Sequence, residues 1–209
     1  MQNTFSKFRL AQGSAAFRRG FRRAVLGAVS AAFLVATVQS APAQMYPNGL
    51  PAEMEFTIDL AEDMAKFTEP RVAPGTEPVR GSFFVTEGNI YPAGTIPQVG
   101  GDQFDPNLPG AVGKWFCKGT FLVAGSQFDK TPMAVLTDQV LMLPEGDRAL
   151  ATTGTEGAGT TVRAVIGGTG AFAGYTGEQT QEFLGFNKSG GANLRVTIKL
   201  RKTRGVRFR

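Results

Sequence analysis

The chain has 209 residues, a formal net charge of +5, one cysteine and no histidine. Its length favours one domain with flanking segments. The lone Cys117 rules out an internal disulfide, and without imidazoles the usual zinc sites and the Ser-His and Cys-His mechanisms are excluded.

Residues 1–43 hold six Lys or Arg and no acid, an apolar run from Ala24 to Val38, then Ala41-Pro42-Ala43. That order reads as a secretory signal peptide cut near Ala43. The 15-residue apolar run falls short of the roughly 20 residues that span a bilayer. A secreted or periplasmic location is therefore expected. Charge is segregated in what remains: residues 44–194 carry −8 and residues 195–209 carry +7. The basic isoelectric point thus comes from the two ends, and no nucleic-acid partner is expected. The basic tail, 202–209, either touches an anionic envelope surface or remains a solvated end.

The segment 44–201 reads as one all-β domain. Glu53–Leu60 alternates Met54, Phe56, Ile58 and Leu60 with Glu53, Glu55, Thr57 and Asp59, a strand with one wet face. Further strands are predicted at Arg80–Tyr91, Gly113–Ala124, Met133–Leu143, Arg148–Glu156, Thr160–Gly167, Tyr175–Phe186 and Ala192–Arg201. Pro144–Asp147 and Lys188–Gly191 carry hairpin-turn chemistry, and strands joined by tight turns are antiparallel. Eight such strands stack as a sandwich or close into a barrel. Closure removes the edges and leaves room for a small ligand, so an eight-stranded antiparallel, calycin-like barrel with a hydrophobic cavity is expected. Pro92–Gly113, with four prolines and five glycines, is instead a long loop of the lid or binding type. Its Asp102, Asp105 and Asn107 match no calcium-loop spacing. No metal and no cofactor is expected.

The run Arg163–Glu178 is the most distinctive stretch. It lacks the Gly-Lys-Ser/Thr of a phosphate loop, and no helix opens at its glycines, so it reads as a glycine turn between two strands. Val165, Gly167, Gly168, Thr169, Gly170, Phe172 and Gly177 resemble the signature hairpin of the allene oxide cyclase and dirigent protein superfamily. Gly113–Val123 resembles the cysteine-bearing strand of the plant cyclases. The resemblance implies an eight-stranded barrel, commonly trimeric, whose cavity holds one conformer of a reactive apolar molecule. It places Thr57 where the cyclases carry a cavity Glu, Asp59 where they carry an Asn, and Cys117 at their cysteine. Thr176 stands at the dirigent arginine position. The departures at Thr57 and Thr176 weaken a strict cyclase or dirigent activity.

Independently of that likeness, Phe83, Val85, Glu87, Asn89 and Tyr91 share one strand face. If it points inward, Glu87 is a buried carboxyl able to move protons. Phe84, Thr86, Gly88 and Ile90 are equally able to face inward. Cys117 shares a face with Trp115 and Phe121, as a cavity group or as a small buried residue. The expected function is an exported barrel that binds a small lipid-like or aromatic ligand. The alternatives are a cofactor-free isomerase or cyclase using Glu87, Asp59 and Cys117, or a structural envelope-associated protein. Strands apolar on both faces suggest a homo-oligomer, a trimer by the resemblance.

Overall fold

The structure, a computed structural model, describes residues 50–69, 77–143 and 148–203. The segment 1–43 expected as a signal peptide, the hairpin turn expected at residues 144–147 and most of the basic tail lie outside the described residues. The eight strands are β1 (Glu53–Glu62), β2 (Phe83–Pro92), β3 (Gly113–Phe121), β4 (Val135–Met142), β5 (Ala149–Glu156), β6 (Thr161–Gly168), β7 (Tyr175–Phe186) and β8 (Ala192–Lys202). Every sequential pair is antiparallel, and β1 pairs with β8, so the sheet closes into a barrel with no free edge.

Closure follows from a register that keeps one face of each strand inside. Ile58 lies opposite Val196, Trp115 opposite Leu141, and Leu141 opposite Leu150. Partners across a ladder share a face, so these apolar residues all enter the lumen. On β2 the inward face is Phe84, Thr86, Gly88 and Ile90. Phe84 lies opposite Gly119, and a Cβ there would come within 2.5 Å of the Phe84 ring. The missing side chain of Gly119 is thus the slot that admits Phe84.

The lower half of the lumen, where β1 and β7 begin, is apolar and filled. Leu60, Ile90, Trp115, Leu141, Leu150, Val196 and Ile198 belong to one buried cluster. Phe172 and Tyr175 close that end; the Tyr175 hydroxyl donates to the carbonyls of Leu50 and Pro51. The glycine run is a turn between β6 and β7, as its chemistry predicts, with Gly170 and Gly174 at positive φ.

Pro92–Gly113 is a strap over the outer wall of β1, β2 and β8. Ile96 and Phe104 bury against Ala61 and Tyr91 in a second apolar cluster outside the barrel. Its backbone is tied down by side chains of the wall. Tyr91 donates to the carbonyls of Pro106 and Leu108, Asn193 to that of Gly101, and the Ile96 amide donates to Asp59.

Candidate functional site

Toward the ends of β1 and β5 the lumen carries a group of buried polar side chains on β4 to β7, beside Phe84, Phe121 and Val135 of the apolar cluster. Arg163 of β6 points inward and its side chain has no exposed surface. Its Nη1 donates to Glu156 Oε1 at 2.6 Å and to Thr137 Oγ1, and its Nη2 donates to the Thr137 carbonyl at 2.9 Å. Glu156 Oε1 also accepts from Thr137 Oγ1 at 2.6 Å and from Gln139 Nε2 at 2.7 Å. Gln179 Nε2 donates to Gln139 Oε1 at 2.8 Å, tying β7 to β4. The result is a belt of one ion pair, threonines and glutamines drawn from β4, β5, β6 and β7. Burial lowers the Arg163 pKa, and the Glu156 carboxylate opposes that shift.

A second lumenal carboxyl, Glu62 of β1, accepts from Thr86 Oγ1 at 2.8 Å and from the Ala192 amide at 2.9 Å. Burial raises its pKa above the usual carboxylate range, and those two hydrogen bonds pull the other way. Burial likewise pushes the Cys117 thiol well above its ordinary value. Burial thus favours the neutral thiol of Cys117 over the thiolate.

The structure separates the residues that the sequence grouped. Trp115, Cys117 and Phe121 are buried on the lumenal face of β3. Phe83, Val85, Glu87, Asn89 and Tyr91 point outward, because the opposite face of β2 carries Phe84 into the slot over Gly119. Phe83 and Val85 are exposed, and Glu87 forms a half-exposed ion pair with Lys66 at 3.5 Å. Asn89 and Tyr91 are buried, but beneath the strap. Asp59 is also outside the lumen: fully buried, it pairs with Arg195 Nε at 2.9 Å and anchors the strap through Ile96. Thr57 meets Thr197 on the outer wall at 3.1 Å, and Thr176 lies opposite Arg201 on the same wall. Glu87 and Asp59 are thus placed with neither Cys117 nor each other around one site.

Sequence reasoning missed Arg163, Glu156, Gln139 and Gln179. On β6 the outward residues Val162 and Ile166 are apolar and well exposed, so taking the oilier face as the inner one puts Arg163 on the wrong side. On β7 the signal was present: Glu178 and Glu182 demand water, which sends Gln179 and Gln181 inward.

A closed eight-stranded antiparallel barrel with a polar belt in its upper lumen defines the class of architecture. No family model matches the sequence, and no curated protein matches it. Solved structures share the fold. The pterocarpan synthase dirigent protein PsPTS1 is 15% identical, with a TM-score of 0.52 over 73% of this chain and 97% of that one. The pterocarpan synthase dirigent protein GePTS1 is 14% identical, with a TM-score of 0.50 over 73% of this chain and 90% of that one. At this identity the likeness is one of fold, the barrel that dirigent proteins also have.

Proposed function

We propose that this protein is an exported barrel that binds one small, mainly apolar molecule in its lumen, beside the buried polar belt. The observation that carries this reading is the Arg163–Glu156 belt. Burying an ion pair costs desolvation that a well-packed apolar filling avoids, so a barrel built only for stability gains little from it. A belt set beside apolar side chains makes an amphipathic wall, the composition expected of a small-molecule site. At the upper rim, Phe183 lies opposite Leu194 and stacks edge to face on Phe186 at 5.1 Å. Both rings are about half exposed and offer an apolar entry.

Trp115 is the chain's single tryptophan and lines this lumen. Titration of the purified protein with a small aromatic probe should therefore change Trp115 emission saturably, with one site per chain. Emission that no lipid or aromatic probe alters, together with no probe binding by calorimetry, ends this reading.

A second copy of the chain is the partner proposed for the outer wall of β4, β5 and β6. Leu136, Val140, Met142, Val162 and Ile166 are all exposed there, whereas the strap already covers the opposite wall. Sedimentation should show an oligomer that Val162→Lys with Ile166→Lys reduces to monomer. A wild-type monomer at micromolar concentration refutes it.

A further inference from the structure

Among the described residues, three buried polar atoms of the lumen wall have no hydrogen-bond partner: Trp115 Nε1, Gln179 Oε1 and, nearer the rim, Thr161 Oγ1. Gln179 is fully buried and Trp115 is 3% exposed. The state of Gln179 is fixed by a chain of donors and acceptors that begins at a charge. The Glu156 carboxylate can only accept, so Gln139 must present its Nε2 to it. That leaves Gln139 Oε1 as an acceptor, and Gln179 must answer with its own Nε2. Flipping either amide would set two like groups against each other, so the free atom of Gln179 is its carbonyl oxygen. Trp115 Nε1–H can only donate. Its strand neighbour Cys117 lies opposite Gln139, which puts Trp115 one inward step below the glutamine level.

The belt's charges are already matched. Four of the five N–H groups of Arg163 go to Glu156, Thr137 and Thr152, and Glu156 matches its charge, so the belt holds no unpaired cation for an anionic ligand. We propose that the ligand is an uncharged, oxygen-bearing apolar molecule, and that Trp115 and Gln179 determine its specificity. Trp115 Nε1–H donates to an oxygen of the ligand, and a hydroxyl of the ligand donates to Gln179 Oε1. A neutral hydroxyl or hydroxy-carbonyl group meets both demands, while a bare hydrocarbon leaves both wall atoms unpaired and a carboxylate meets Gln179 acceptor to acceptor. This rests on the lumenal binding proposed above and adds the chemistry of the occupant.

The test is a matched set of bicyclic probes measured by calorimetry on the purified protein: naphthalene, 2-methoxynaphthalene, 2-naphthol and 2-naphthoate. The expected order has 2-naphthol tighter than naphthalene by about thirtyfold, the size of two net hydrogen bonds, with 2-methoxynaphthalene between them and 2-naphthoate weakest. Gln179→Met should bring 2-naphthol down to the level of 2-methoxynaphthalene. Trp115→Phe should weaken 2-methoxynaphthalene and leave naphthalene unchanged. Equal affinity of wild-type protein for naphthalene and 2-naphthol overturns the proposal while leaving lumenal binding intact, since ordered water would then serve the two atoms. Tightest binding of 2-naphthoate overturns it as well. Binding of none of the four removes both this proposal and the lumenal reading. The wild-type series decides the matter even if a variant fails to fold.

Discussion

Glu156→Ala is expected to lower stability by about 3–5 kcal/mol, because it leaves the guanidinium of Arg163 buried without its counter-charge. Arg163 has no exposed side-chain surface, and Glu156 Oε1 is the acceptor for three of the belt's donors. For a domain of this size the loss corresponds to a fall in melting temperature of about 10 °C. The paired change Glu156→Gln with Arg163→Met should be milder, within about 2 kcal/mol of wild type, because it removes both charges and keeps the volume. Urea unfolding of the three proteins gives the comparison. A single mutant that loses less than about 1 kcal/mol would mean that water reaches Arg163, and the belt would not be the dry, charge-matched wall described above.

The second large effect lies in the glycine hairpin, where two glycines of the same motif should behave oppositely. A Cβ at Gly177 would stand 1.9 Å from the carbonyl oxygen of Lys199, so Gly177→Ala must push β8 away from β7. We expect a loss of about 3 kcal/mol, the upper range for overpacking, because a backbone carbonyl in a ladder cannot rotate aside. At Gly167 a Cβ meets no heavy atom within 4 Å, and the residue is not among those at positive φ. Gly167→Ala should be neutral or stabilising by up to about 0.5 kcal/mol, through the reduced freedom of the unfolded chain. Thermal unfolding of the two variants side by side tests this, and equal losses would refute it. Gly177 owes its identity to close approach of two strands, and no phosphate or nucleotide enters the explanation.

Cys117, with its thiol held neutral by burial, contributes volume to the wall. Glu62 is a lumenal carboxyl whose burial favours its protonated form. Because its folded-state pKa lies above the unfolded value, Glu62 favours folding most at low pH. That contribution fades as pH rises through the raised value. The candidate acids singled out in the sequence, Glu87 and Asp59, serve other ends. One makes a surface ion pair of small energetic weight, and the other holds the strap to the wall together with Arg195.

The sequence alone determined the eight strands, their antiparallel order and the turn character of the glycine run. It also grouped Trp115, Cys117 and Phe121 on one strand face, which the structure turns inward. These are local properties, carried by side-chain period and turn chemistry within a few residues. Only the tertiary structure decided which face of β2 looks inward, since both faces carry large apolar groups and the choice was made by Gly119 on a neighbouring strand. It alone showed that Pro92–Gly113 covers the outer wall, turning Asp59, Asn89 and Tyr91 into buried residues that never see the lumen. In a barrel whose outside is also partly covered, burial no longer identifies the inner face. A shift of one residue in register exchanges the two faces, and register is set by pairing between strands far apart in the chain.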